Sequence, residues 1–264
     1  MATVKEILDA FDAIAPFYMK MDFDNIGLLA GFPDATVTRA MAALDITDGV
    51  IEEAASWGAQ LIVSHHPLLF HPIKSVTSDD DRGRKIIRLI QTGMSAICLH
   101  TNMDAAEGGV NDALMDALGV RVTGLLDPDG FHPDGTPYGI ARVGELPKAM
   151  ELDAFLARTK ERLRCNGLRY VPGGRPARKV ACCGGSGGSE LEKVIAAGCD
   201  TYVTADLKYD QFLLAAESGL NLIDADHFCT ENVVVPRLKG WLDERFPEIE
   251  VRVSETHRQT ALFY

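Results

Sequence analysis

Three short segments carry side chains suited to holding a metal ion. Ser64-His65-His66-Pro67 follows the apolar run Ala59 to Val63. His100-Thr101-Asn102-Met103-Asp104 follows Ser95 to Leu99, and Ala225-Asp226-His227-Phe228-Cys229-Thr230-Glu231 follows Leu220 to Asp224. Imidazole nitrogens and carboxylate oxygens together suit a borderline divalent ion: zinc, iron, manganese, cobalt or nickel. His227 and Glu231 are four residues apart, so a helix starting near His227 sets both on one face. A carboxylate shared by two ions can bridge them, and such a pair turns a bound water into a nucleophile at neutral pH.

Each segment begins where a short apolar run stops, which reads as the carboxyl end of a buried strand. Binding residues of open parallel sheets gather at such ends. The surrounding elements alternate. Helices are expected over Val4 to Ala15, Gly49 to Trp57, Asp81 to Thr92 and Gly109 to Leu118, with strands over Thr38 to Ile46, Ala59 to Val63 and Ser95 to Leu99. Around Asp127-Pro128-Asp129-Gly130 and His132-Pro133-Asp134-Gly135 the chain turns to loop-forming residues. A second block follows, with strands at Gly139 to Val143, Lys179 to Cys183 and Thr201 to Thr204. Its helices are expected at Glu151 to Leu163, Ser189 to Ala197 and Leu207 to Ser218. The expected fold class is α/β, two interleaved domains with mainly parallel, helix-covered sheets. Residues 1–122 with 222–264 would form the metal-binding domain, and residues 123–221 an inserted one.

Composition narrows the function. The net charge is -12 over 264 residues, which argues against nucleic acid as a partner. No stretch approaches the roughly 20 apolar residues that cross a bilayer, and the first residues lack a secretion signal. The six cysteines form no Cys-x-x-Cys pair and read as reduced core thiols. A cytoplasmic location is expected.

Taken in order, the segments resemble the GTP cyclohydrolase 1 type 2 homolog family, also called Nif-three-like. The resemblance rests on Ser-His-His-Pro at 64–67, His-Thr-x-x-Asp at 100–104, and the Cys183-Gly184-Gly185-Ser186-Gly187 turn. It rests further on Thr204-Ala205-Asp206 and on Asp224-Ala225-Asp226-His227, with Glu231 four residues beyond His227. Asp24-Asn25-Ile26-Gly27-Leu28 is similar to that family's Trp-Asp-Asn-Val-Gly-Leu signature, with Phe23 in place of Trp and, further on, Ala205 in place of a Gly. The resemblance implies a dinuclear metal centre held by His65, His66, Asp104, His227 and Glu231, with Glu231 as the bridge. It also implies a toroidal homohexamer and hydrolysis of GTP to dihydroneopterin triphosphate and formate.

Other residues are read more plainly. His100, close to Asp104, is expected to orient a ligand or exchange a proton with the activated water, so His100 and Glu231 are the candidate catalytic residues. His71, His132 and His257 have no ligand-type company in sequence. The glycine-rich turn at 184–188 fits either an anion-binding loop or a tight strand-to-helix connection. Arg82, Arg84, Lys85 and Arg88 read as a solvated helix face, with polyphosphate contact as the alternative. The leading function is a metal-dependent hydrolase of a small, nucleotide-type substrate. A metal chaperone or insertase, or a ring-shaped interaction scaffold, remains open, since the same ligands would serve.

Overall fold

The computed structural model describes residues 1–264. The chain divides into two units, residues 1–103 with 234–258, and residues 104–233 with 259–264. Neither boundary falls at 122 or 222. The helix Val110–Leu118 packs its Leu114, Met115 and Leu118 into the core of the second unit, and strand Asn221–Asp224 lies inside that unit's sheet. The chain therefore re-enters the first unit at Val234, after His227 and Glu231 rather than before them.

In the first unit a five-stranded sheet runs in the order Glu250–Val253, Arg39–Ala43, Leu61–Ser64, Ser95–Cys98, Gly27–Ala30. Every pairing is parallel except the last. Met41, Ile62 and Ala96 stand in register and point to one face. There they meet Val50, Ile51 and Ala54 of helix Asp48–Trp57, and Ile86 and Leu89 of helix Asp81–Gln91. Helix Val4–Ile14 starts at a reciprocal cap. The Glu6 amide donates to Thr3 Oγ1 (3.2 Å), and the Thr3 amide donates to Glu6 Oε2 (2.8 Å). The basic cluster on Asp81–Gln91 turns toward acids: Arg84 pairs with Asp48, and Arg88 with Glu52. A charge-paired surface face accounts for it. Strand Glu250–Val253 was not anticipated from sequence; it borders Arg39–Ala43 in parallel register.

The second unit holds a six-stranded sheet in the order Arg169–Val171, Asn221–Asp224, Thr201–Thr204, Ala177–Cys182, Arg142–Met150, Arg121–Leu125. Only its central three strands are mutually parallel. The sheet is mixed, not mainly parallel. The connection from Arg121–Leu125 to Arg142–Met150 contains only a two-residue ladder, Gly130–Phe131 against Pro137–Tyr138. It has no helical crossover of the kind a parallel return requires, so the chain comes back antiparallel. The strand expected at Gly139 to Val143 begins at Arg142 and runs to Met150. Its register shifts between Glu145 and Met150, a bulge that tolerates Pro147. Both faces of the sheet are buried. Val180, Cys182, Val203 and Ile223 enter one cluster, and Ala181, Tyr202 and Leu222 enter the other, the two-residue alternation of a strand. All six cysteines are buried and none is in a disulfide.

Arg142 ties the start of this unit together. Its Nε donates to Asp112 Oδ1 (2.8 Å), and its Nη2 donates to the carbonyls of Ala105 (3.1 Å) and Ala106 (3.0 Å). These carbonyls end helix Thr101–Ala105, where no intrahelical amide can reach them. Arg142→Leu takes the buried guanidinium away from the half-buried Asp112 carboxylate and from both carbonyls, and should cost about 2 kcal/mol of unfolding free energy. A urea titration that moves by less than about 1 kcal/mol would remove Arg142 from this role.

Candidate metal centre

The first unit presents three histidines together. The parallel register sets Ser64 beside Cys98, so His65 and His66 leave one strand next to where Leu99 and His100 leave its neighbour. The ring centroids of His65 and His66 are 5.1 Å apart, those of His65 and His100 5.2 Å, and those of His66 and His100 5.7 Å. One ligand nitrogen from each lies within 4.8 Å of the others.

Each ring is fixed through Nδ1. His65 Nδ1 lies 2.9 Å from the Leu99 carbonyl, which can only accept, so the proton sits on Nδ1. His66 Nδ1 bonds Asp45 Oδ1 at 2.7 Å, and His100 Nδ1 bonds Asp24 Oδ1 at 2.8 Å. In a neutral imidazole this leaves the lone pair on Nε2, the pattern in which a carboxylate or carbonyl orients a metal-ligating histidine. Asp24 is buried and also accepts from the Thr101 amide (3.0 Å) and hydroxyl (2.5 Å). Burial raises its pKa, but the hydrogen bonds from His100 and Thr101 and the nearby imidazole outweigh it and hold the carboxyl down at about 2. Its contribution to stability is complete above the ordinary aspartate value of about 3.9 and is lost as pH falls through about 2. Asp45 is likewise driven below the carboxylate range. Its burial is opposed by hydrogen bonds from His257 and His66.

His257, which sequence left without company, completes this arrangement. Its Nε2 bonds Asp45 Oδ2 at 2.7 Å, opposite His66. The segment carrying it is held by Glu53, which accepts from the Glu255 amide (2.9 Å) and the Ser254 (2.5 Å) and Thr256 (2.8 Å) hydroxyls.

The second unit presents Asp104, His227 and Glu231. Helix His227–Glu231 starts at Asp226, whose carboxylate accepts from the Cys229 amide. One turn sets His227 Nε2 3.0 Å from Glu231 Oε2. Two donors each about 2 Å from a tetrahedral ion lie roughly 3.3 Å apart, so this pair has nearly the spacing one ion demands. Again Nδ1 is engaged, by Asp206 Oδ2 at 2.7 Å. Asp206 (φ 55°) and Asp226 (φ 65°) both occupy the left-handed region, uncommon for residues other than glycine, at the two positions that aim His227.

The glycine-rich turn is a tight connection. Its amides are used internally: Gly184 donates to Asn111 Oδ1 (2.8 Å), Gly185 to Thr230 Oγ1 (3.0 Å) and Gly187 to Thr204 Oγ1 (3.0 Å). A Cβ on Gly185, at φ 62°, would stand 2.1 Å from Glu231 Oε1 and 3.1 Å from His227 Nε2. The glycine makes room for the carboxylate.

Sequence reasoning missed Asp24, Asp45, Asp206 and His257 as orienting residues. Three of these had a signal: Asp45 ends an apolar run, while Asp24 and Asp206 sit inside quoted motifs. His257 had none.

Two mixed α/β units, with histidine and carboxylate groups that could bind a metal ion at strand ends, define an α/β protein with a candidate metal centre. The chain belongs to the Duf34/NIF3 (NGG1p interacting factor 3) family, whose model matches residues 2–260. A Clostridium perfringens protein named GTP cyclohydrolase 1 type 2 homolog is 35% identical over 254 residues, covering 96% of each chain. A Streptomyces coelicolor protein of the same name is 37% identical over 264 residues, covering 97% of this chain and 92% of its own. Among solved structures, a Bacillus cereus protein related to NIF3 superposes with a TM-score of 0.93 at 25% identity, covering 100% of this chain and 99% of that one. The family resemblance read from the motifs is borne out.

Asp45→Ala should weaken binding of cobalt(II), followed by its absorbance, by about 10- to 100-fold, and His257→Ala by less. Gly185→Ala should weaken it as well, by displacing Glu231. Parent-like binding by all three variants would mean that these contacts do not support a metal centre.

Proposed function

We propose that this protein is a dinuclear metal-dependent hydrolase acting on a nucleotide-type substrate. In this reading His65, His66, Asp104, His227 and Glu231 would hold two divalent ions, and the Glu231 carboxylate has an oxygen to offer each. The observation that carries it is the common treatment of the histidines. His65, His66, His100 and His227 each have Nδ1 bound to an oxygen, and for three of them that oxygen belongs to a carboxylate. Surface histidines have no reason to share that arrangement.

Bound divalent ions would supply a water of lowered pKa and would withdraw charge from the attacked group. The chain's own residues do the positioning. Asp45 and Asp206 hold the rings of His66 and His227 in place and keep their Nε2 lone pairs available. Helix Thr101–Ala105 follows His100 directly and carries Asp104, so one short segment supplies both an imidazole and a carboxylate. His100, held by Asp24, would take or give a proton during attack by water. The relatives' names point to GTP, and the motif resemblance implies opening of its imidazole ring with loss of formate. Assembly as a toroidal homohexamer belongs to the same reading.

Purified protein should carry close to two transition-metal equivalents per chain. Glu231→Gln should lower occupancy of both ions, and His100→Ala should slow turnover more than it lowers metal content. The assays are metal analysis, formate and pterin release from GTP, and phosphate release from a panel of esters. Full occupancy without turnover, together with ready transfer of ions to an apo acceptor, would replace the hydrolase with a metal carrier. A stable monomer by light scattering at micromolar concentration would overturn the hexamer.

A further inference from the structure

Phe23 and Phe70 stand beside the three histidines of the first unit, and the core does not account for them. Phe23 is 63% exposed and Phe70 is half-buried. A single exposed ring is ordinary, but these two are organised. Their centroids are 6.1 Å apart with planes inclined by 58°. The Phe70 ring lies 5.9 Å from the His100 ring, nearly perpendicular to it, and 4.8 Å from that of the exposed His71.

Their loops are fixed to each other and to the histidines. The Asn25 side chain donates to the Leu69 carbonyl (2.5 Å), which joins the two loops next to the two rings. Asp24, adjacent to Phe23, is the residue that binds His100 and Thr101. Lys20 Nζ donates to the Asp24 carbonyl (3.1 Å) and braces the same turn. The rings are therefore held in register with the imidazoles by short polar contacts of their sequence neighbours.

We propose that Phe23 and Phe70 form a stacking surface that holds a planar heteroaromatic ring of the substrate beside the His65–His66–His100 group. The inference deepens the hydrolase reading by naming the substrate class, and it rests on that reading for what happens after binding. Aromatic faces attract flat heterocycles whatever their edge pattern. This surface selects for the presence of a ring and not for one particular base. A phosphoester without a ring gains nothing from it.

The test compares GMP, AMP and nicotinamide mononucleotide with ribose 5-phosphate, which lacks the ring, all on metal-loaded protein. Phe23→Trp places a fluorophore on the surface. Its emission, taken as the difference from the parent, should be quenched by the ring-bearing ligands and not by ribose 5-phosphate. In equilibrium dialysis, Phe23→Ala and Phe70→Ala should each weaken the ring-bearing ligands by about ten-fold and leave ribose 5-phosphate unchanged. Absence of quenching by all three ring-bearing ligands, or equal affinity in parent and alanine variants, would overturn the stacking surface. Quenching and ten-fold weakening without turnover would support the surface while overturning the hydrolase. Turnover of ring-free esters untouched by Phe23→Ala, with no quenching, would do the reverse.

Discussion

The parallel register of Leu61–Ser64 against Ser95–Cys98 is the constraint on which the histidine group depends. With Ser64 opposite Cys98, both strands end at the same level. The next residues, His65 and Leu99, are then near enough for an imidazole to donate to a carbonyl. A slip of one residue would turn every side chain of one strand to the other face and separate the rings. Burial on both sides prevents that slip: Ile62 and Ala96 belong to the helix-covered core, while Leu61, Val63 and Ile97 are fully buried on the other side.

The second unit solves a similar problem with backbone strain. Its central parallel strands end at Cys182, Thr204 and Asp224, and the residues that follow must turn sharply. At the first end glycines do this, and their missing side chains leave the space that Glu231 fills. At the other two ends aspartates adopt left-handed backbone, a conformation that short polar side chains tolerate better than most. Their carboxylates then serve His227 and the helix it begins.

Much of this was legible in the sequence. Apolar runs ending in Ser64-His65-His66, in His100 and in Asp224 located the strand ends, because a buried strand shows itself as a short apolar run bounded by polar or turn residues. What sequence could not show was pairing at a distance. Asp45 meets His66 and His257 across 21 and 212 positions, and nothing local marks such partners. The mixed character of the second sheet was hidden for a related reason: direction depends on how a connection crosses, and the strand around Pro147 did not read as a strand at all. Glu250–Val253 alternates too briefly to be separated from loop.

That last strand affects the order in which the protein can be completed during synthesis. Arg39–Ala43, with its buried Ala40, Met41, Ala42 and Ala43, is bordered on one side by Leu61–Ser64 and on the other by Glu250–Val253. As the nascent chain lengthens, one flank of this strand keeps its amides and carbonyls exposed until about two hundred further residues have been made, roughly 10 to 40 s at ordinary elongation rates. An open apolar edge is a template for pairing with other chains. The sheet of the first unit is thus completed only after residues 104–233 of the second unit have been made. Loss of strand Glu250–Val253 would harm the newborn chain before it harmed any finished site.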